Sequence, residues 1–335
     1  MRHFRLSFIV TAVCLAGAIY WGGLIGAFFA IILGVLEVSL SFDNAVVNAA
    51  ILKRMDERWQ QYFLTWGILI AVFGMRLLFP IAIVSAATGI GFLGVADMAL
   101  HSPDTYAQHL SSSHVQIAAF GGMFLLMVFF SFIFDETKEL HWLGYWEEKM
   151  SDFGKLESIE IILALGLLLI AQNWLPAEIR LNALVAGIYG VVLFVVVDSL
   201  AALFENEETG DGVSDIIKKG SVMSFLYLEV LDASFSFDGV IGAFAITNDV
   251  VIIMLGLAIG AMFVRSLTVY LVRQGTLDEY VFLEHGAHYA IGSLAAIMLI
   301  SMTHHISEII TGLVGAVLIG LSIFSSVLYK RRQEE

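Results

Sequence analysis

Residues 35–44 read V-L-E-V-S-L-S-F-D-N, and residues 230–239 read V-L-D-A-S-F-S-F-D-G. Six of the ten positions are identical, and Glu37 is matched by Asp232, so both copies carry an acid there. Identity among Leu, Val and Phe is cheap in an apolar chain. Two serines and two carboxylates at matching places are not. A second match follows each copy. Residues 67–76, G-I-L-I-A-V-F-G-M-R, end on Arg76, and residues 256–265, G-L-A-I-G-A-M-F-V-R, end on Arg265. In both, a glycine stands nine residues before the arginine. The chain therefore reads as an internal repeat.

The composition around the repeat is that of a membrane protein. Of 335 residues, 59% are hydrophobic and only 14% are charged, against roughly a quarter charged in ordinary soluble domains. Mean hydropathy is +0.86. A soluble chain of this balance would expose apolar surface over much of its area. A net charge of −14 without a basic patch excludes nucleic-acid binding as a main role. Cys14 is the only cysteine, which excludes a disulfide framework. Long apolar runs, only three prolines and no sustained period-2 alternation argue against a β-barrel.

Spans of about 20 mostly apolar residues give about ten transmembrane helices, at 4–21, 24–51, 61–84, 115–134, 158–172, 181–203, 221–247, 250–272, 286–302 and 305–328. The first also reads as a signal peptide, with a basic start and an apolar core; its removal leaves the later orientations unchanged. With the N-terminus in the cytoplasm, 14 of the 17 basic residues fall inside: Arg2, Arg5, Lys53, Arg54, Arg58, Lys138, Lys149, Lys155, Lys218, Lys219, Arg273, Lys330, Arg331 and Arg332. Only Arg180 falls outside, and Arg76 and Arg265 lie within spans. The positive-inside rule thus supports an even count with both termini cytoplasmic. Helices 2–3 match helices 7–8, and an offset of five inverts the repeat. The chain divides into a first membrane half (1–203), an acidic cytoplasmic linker (204–220) and a second membrane half (221–335). Inverted repeats with polar segments at matching depths point to a secondary transporter's binding site.

Glu37, Asp43, Glu229, Asp232 and Asp238 all sit well inside their spans. A carboxylate at the bilayer centre costs roughly 2.5–3.5 kcal/mol on insertion scales, so each needs a cation, a proton, water or an arginine. Arg76 and Arg265 are placed to neutralise two of them. The excess acid is left for a metal cation. Oxygen ligands suit hard ions such as Mg, Ca and Mn, whereas copper and zinc sites prefer His and Cys. Mn²⁺ or a similar hard divalent ion is therefore the expected cargo, with no organic cofactor. On a regular helix Glu37, Ser41, Asn44 and Asn48 share one face. Ser39, Ser41 and Asp43 instead alternate, as along an extended stretch. The expectation drawn from that alternation is an unwound segment near 39–44, with Ser234 and Ser236 its counterparts in the second copy and Gly239 easing the break there. A regular tilted helix is the alternative. If the repeat holds, Asp43 and Asp238 converge, flanked by Glu37 and Asp232.

Other polar residues carry weaker signals. Asp198 lies towards the cytoplasmic end of its span, as a third-helix ligand, a gate or a solvated helix end. Glu284, His285 and His288 form E-H-G-A-H at the entrance of the ninth span. They read as a peripheral metal site or as a solvated helix start. His304 and His305 fall at a short outside turn. The long outside loop 85–114 carries His101, His109 and His114 but no Lys or Arg. Residues 135–149 read as an interfacial helix anchored by Trp142 and Trp146.

E-V-S-L-S-F-D-N resembles the first signature of the TerC (tellurium-resistance) membrane proteins, and F-S-F-D-G-V-I-G-A-F-A-I-T-N-D (235–249) resembles the second. The likeness covers the motif-bearing spans, about half the chain, and Gly239 departs from the usual Ser. The resemblance implies a multi-pass protein of the bacterial-type plasma (inner) membrane, related to cation exporters and tied to Mn²⁺ efflux and metal homeostasis. It carries metal-binding roles to Glu37, Asp43 and Asn44 of the first motif and to Asp232 and Asp238 of the second. Ser39, Ser41, Asn48, Glu229, Ser234 and Ser236 are the supporting polar set. The expected partners are the bilayer and the metal cation, with protons as candidate counter-ions; an oligomer stays open. No enzymatic activity is expected. An intramembrane aspartyl protease would also place two aspartates in spans, but neither aspartate lies in a G-x-G-D context. A membrane anchor or metal sensor of a tellurite or metal-stress complex is the other alternative.

Overall fold

The computed structural model describes residues 4–334 apart from 54, 71–73, 75, 77, 206–223, 233–238, 241, 245, 275–278 and 305, and at some positions, Asp43 among them, the backbone alone. The described residues are helical, without strands. In chain order the helices are α1 (Arg5–Leu40), α2 (Phe42–Lys53), α3 (Glu57–Leu69), α4 (Phe79–Thr88), α5 (Phe92–His101), α6 (Pro103–Ser112), α7 (His114–Ile133), α8 (Tyr145–Phe153), α9 (Ile159–Ala171), α10 (Ala177–Glu205), α11 (224–232), α12 (Val250–Gln274), α13 (Leu283–Ser301) and α14 (Glu308–Glu334).

Five of these stretches are long and apolar enough to cross a bilayer: Arg5–Leu40, His114–Ile133, Ala177–Ser199, Val250–Gln274 and Ile310–Gln333. They mark the chain as an integral membrane protein. The other expected spans fall on shorter or more polar helices, or partly outside the described residues.

The chain forms two compact units, Met1–His114 with Phe204–Gln274, and Val115–Leu203 with Gly275–Glu335. Each unit draws on both halves of the sequence. In the first unit α1 is not one rod. Gly23, at φ 64° and ψ −159°, turns the chain back on itself, in a region that only glycine enters cheaply. A Cβ at Gly26 would come within 2.9 Å of the Ala18 carbonyl oxygen, so the two limbs run in contact. Both limbs pack along α12. Gly17 faces Leu255, and Ser7 Oγ donates to the Met262 carbonyl at 2.8 Å. The G-L-A-I-G stretch at 256–260 admits the second limb closely, since a Cβ on Gly256 would lie 2.6 Å from Leu33 Cβ. Small residues at such crossings let helices in a membrane gain packing contacts. Asp249 starts α12, taking the Val251 and Ile252 N–H groups at 3.0 and 3.1 Å on Oδ1, an N-cap. Its Oδ2 accepts Trp21 Nε1 at 3.0 Å, beside the Gly23 turn.

The expected unwinding near 39–44 is confined to one residue. Ser41, at φ −103° and ψ 19°, separates α1 from α2. The helical ladder continues across it, with Ser41 N–H to the Glu37 carbonyl at 3.0 Å and Ala45 N–H to the Ser41 carbonyl at 3.1 Å. Ser39 is exposed and returns its hydroxyl to the Val35 carbonyl at 2.8 Å, as helix serines do. An extended stretch would leave backbone groups without partners in a lipid environment; the helix satisfies them internally.

The expected span 61–84 changes helix type among its described residues. After α3, the described residues Ile70, Gly74, Arg76 and Leu78 follow a π-helical path, and α4 then ends on Gly89 at φ 73°. π-bulges of this kind recur at functional sites. The expected outside loop 85–114 holds α5 and α6. Tyr106 is buried there against the Phe244 ring, and Asn248 Nδ2 donates to Asp104 Oδ1 at 2.7 Å.

In the second unit α7 is the most enclosed helix, with Met123, Phe124 and Leu125 fully buried. Gly292 of α13 faces the Phe129 ring, and the Phe282 N–H donates to Ser326 Oγ of α14 at 2.9 Å. The expected interfacial helix at 135–149 forms only from Tyr145 onward. Before it, Asp135 Oδ1 accepts the Thr137 N–H at 2.8 Å and its hydroxyl at 2.7 Å, a local turn that competes with helix. Gly144, at φ 57°, closes a separate turn just before α8, its N–H donating to the His141 carbonyl at 3.2 Å. Trp146 is exposed, as an anchor would be, whereas Trp142 packs on Tyr289.

Candidate functional site

The helical stripe of the first motif points into the interior of the first unit. Glu37, Ser41, Asn44 and Asn48 are each at most 5% exposed. Around them lie Arg76, Glu229, Asp232 and Arg265, also at most 5% exposed. Five ionisable side chains are thus withdrawn from solvent together, and their pairing follows from where the helices put them.

Arg76, on the π-helical stretch, donates Nη2 to Glu37 Oε1 at the end of α1. Ser41 Oγ donates to the same oxygen at 3.1 Å. Arg76 Nη1 stands 4.0 Å from Asp232 Oδ2 on α11. Asn44 Nδ2 of α2 donates to Asp232 Oδ1 at 2.8 Å. The two motif copies therefore meet through Arg76 and Asn44. Gly239 adjoins the same place, where a Cβ would lie 2.8 Å from Glu37 Oε2.

Arg265, on α12, is used differently. Its Nη1 donates to the Phe63 carbonyl at 2.5 Å, and its guanidinium lies 4.2 Å above the Phe63 ring centre. Glu229 Oε1 receives Nη2 at a longer 3.4 Å. A side chain at Gly67 would collide with this pair, its Cβ falling 2.5 Å from Arg265 Nη1 and 2.7 Å from Glu229 Oε1. The glycine nine residues before Arg76 is thus where the other arginine passes. Glu229 Oε2, Asp232 Oδ2 and Asn48 Oδ1 are buried with no hydrogen-bond partner among the described residues.

Asp238, Ser234 and Ser236 lie outside the described residues, as does the side chain of Asp43; its backbone is in α2. The expected convergence of Asp43 and Asp238 falls there too. Ser39 is not brought to the site. Among the described residues no three His, Cys, Asp or Glu side chains gather as a group able to hold a metal ion.

A second buried ionic cluster stands in the other unit, and sequence reading missed its centre. Glu147, 1% exposed, accepts Lys138 Nζ at 2.9 Å and the Leu143 N–H at 3.1 Å. His285 Nε2 lies 3.3 Å from Glu147 Oε1 and 2.9 Å from the Leu140 carbonyl. Burial works against the charge on Glu147, but Lys138, the Leu143 N–H and His285 outweigh it and hold the carboxyl below its ordinary range. Burial holds the His285 imidazole below its usual value, against the pull of the Leu140 carbonyl and Glu147. His288 stacks on Phe132 at 4.0 Å and faces the Glu284 carbonyl at 2.9 Å. The E-H-G-A-H stretch is therefore a packed junction rather than a solvated helix start. His304 is exposed, His305 is outside the described residues, and Asp198 is exposed near the end of α10.

A helical membrane protein with a shared ionic core built from two distant motifs is the class these observations define. The chain belongs to the family described as "Protein of unknown function (DUF475)", whose model matches residues 42–333, a family of membrane proteins. No curated protein and no solved structure matches the chain.

Proposed function

We propose that this protein is a secondary transporter of a hard divalent cation, with Mn²⁺ efflux across a bacterial-type inner membrane as the leading case. The observation that carries the reading is the imbalance of the core. Three buried carboxylates, Glu37, Glu229 and Asp232, face two guanidinium groups, Arg76 and Arg265, before Asp43 and Asp238 are counted. Two of those carboxylates each hold an oxygen with no hydrogen-bond partner among the described residues. Buried carboxyl oxygens without partners are expensive in a membrane and suit a hard cation as ligands.

An inverted repeat of about ten spans, with both termini cytoplasmic and a TerC-like motif pair, is part of the same proposal. Two correspondences support it. Asn44 touches Asp232, and its counterpart Gly239 adjoins Glu37, the counterpart of Asp232. Gly67 adjoins Glu229, and its counterpart Gly256 lies against Gly34, the counterpart of Glu229. Each compact unit also takes segments from both halves.

The test is metal flux into proteoliposomes, with Mn²⁺, Mg²⁺ and Ca²⁺ compared, for the parent chain and for Asp43→Asn and Asp238→Asn. Both substitutions are expected to abolish flux while leaving insertion intact, because they remove a hard ligand and ease burial. Flux at parental rates in both variants at equal protein would refute the carboxylate site.

A further inference from the structure

A polar cavity of about 300 Å³ opens between α2, α3 and α12, lined by Leu52, Glu57, Gln60, Gln61, Val272 and Arg273 among others. It lies at the ends of those helices that the positive-inside rule assigns to the cytoplasm, beside Lys53 and Arg58. A divalent ion with six waters needs about 180 Å³ at ~30 Å³ per water, so the cavity has room for a hydrated cation. Its floor is apolar. Leu52 and Val272 belong to both the cavity wall and a cluster in which Leu52, Met55, Phe63 and Leu228 are buried. Phe63 and Leu228 are fully enclosed. On the other side of the cluster stands the ionic core. Asn48 is one turn from Leu52 on the same helix, and Arg265 is two turns from Val272, about 10 Å at 1.5 Å per residue.

We propose that this cavity is the cytoplasmic vestibule of the cation path and that the Leu52–Phe63–Leu228 cluster is its gate. The inference rests on the transport reading above. A dry cluster between a wet cavity and buried carboxylates blocks a hydrated ion, because nothing in it replaces lost waters. Phe63 also links gate to site. Its carbonyl takes Arg265 Nη1 at 2.5 Å, and its ring lies under the same guanidinium. When a cation settles on the carboxylates, Arg265 is repelled, and a shift of its guanidinium pulls on the residue that closes the path. Gln60 Nε2, bonded to the Met55 carbonyl at 3.0 Å, ties the cavity rim to the cluster.

Cysteine accessibility tests this without requiring transport. Cys14 is the only native cysteine, so single cysteines are placed in a Cys14→Ser background. Gln60→Cys reports the vestibule and Asn48→Cys the site beyond the gate. A charged, membrane-impermeant methanethiosulfonate is added to inside-out and right-side-out vesicles. Gln60→Cys should react from the cytoplasmic face only. Asn48→Cys should react at least about tenfold more slowly, and Phe63→Ala should remove most of that difference, as when a local closed state is opened. Leu52→Ala provides the same comparison where Phe63→Ala does not fold. Equal reactivity of Asn48→Cys with and without the gate side chains overturns the gate. Reaction of Gln60→Cys from the opposite face, or from neither, overturns the vestibule. Mn²⁺ should protect Asn48→Cys in the opened variant. Gated reactivity without such protection leaves the vestibule standing and refutes the cation reading instead.

Discussion

Both compact units bury carboxylates against basic groups, and they occupy the carboxylate oxygens to different degrees. In the second unit both oxygens of Glu147 are occupied, one by Lys138 and His285 and the other by the Leu143 N–H. In the first unit Glu37 is held by Arg76 and Ser41. Asp232 and Glu229, however, each keep a buried oxygen with no hydrogen-bond partner among the described residues. Arg265 gives its shorter bond, 2.5 Å, to the Phe63 carbonyl and leaves Glu229 at 3.4 Å. In the Glu147 cluster it is His285 Nδ1, not a carboxylate oxygen, that is buried without a hydrogen-bond partner among the described residues. A carboxylate with both oxygens occupied fixes a packing arrangement, and one with an unmet buried oxygen is costly. The same contrast runs between the two motif copies. Asn44 reaches across to Asp232, whereas Gly239 has no side chain with which to reach Glu37, and Arg76 takes that place.

The sharpest way to break the contrast is Arg76→Ala. It leaves Glu37 and Asp232 buried without their guanidinium, at a cost of about 3–5 kcal/mol for an uncompensated buried charge. The variant should express poorly and unfold at clearly lower temperature in detergent. Adding Glu37→Gln should recover part of the loss. A double variant no more stable than Arg76→Ala alone would mean that the pair contributes nothing through its charge. Glu147→Gln comes next. It leaves Lys138, whose side chain is 9% exposed, without an anion, at about 1–3 kcal/mol. Metal flux per folded molecule should nevertheless stay at the parental value. Flux that falls with stability at equal folded protein would place Glu147 in the transport machinery and erase the distinction between the units.

The parts of this arrangement that sequence makes legible are those written in short-range pattern. The i, i+4, i+7, i+11 stripe of Glu37, Ser41, Asn44 and Asn48 reads as one helix face and is buried as one face. The alternation of Ser39, Ser41 and Asp43 reads as extended chain, but backbone hydrogen bonding prevails and exposes Ser39. The break between the first two spans is visible in Gly22–Gly23, although only the folded chain gives Gly23 its positive φ. What sequence cannot carry is the partner chosen across long separation. Nothing local tells Asn44 to meet Asp232, 188 residues away, or tells Arg265 to prefer a backbone carbonyl on α3. Glu147 was hidden for another reason. In D-E-T-K-E-L-H-W-L-G-Y-W-E-E-K it is one acid among several in a polar run, and polar runs usually face water. Its burial depends on His285 arriving from a distant helix.

The smallest expected effect is a pH dependence confined to the Glu147–His285 cluster. The imidazole of His285 is held below its ordinary value by burial. As pH falls beneath about 6.5, the unfolded chain gains a proton at this position that the folded chain does not bind, so stability declines. The carboxyl of Glu147 is also held below its ordinary range. Its contribution is fully present above the unfolded carboxylate pKa of about 4.3 and is lost only as pH falls further, through the folded value. Both groups therefore favour the folded state at neutral pH, and acid removes the histidine's share first. Thermal unfolding in detergent should show a shallow loss between about pH 7 and pH 5, the range in which unfolded histidines titrate. His285→Gln keeps a donor for the Leu140 carbonyl and cannot titrate, so it should flatten that slope without moving the steeper loss in stronger acid. Glu147→Gln should do the reverse, reducing the steeper limb. An unchanged slope above pH 5 in His285→Gln would mean that the depressed imidazole contributes nothing, and that the acid response originates in the ionic core of the other unit.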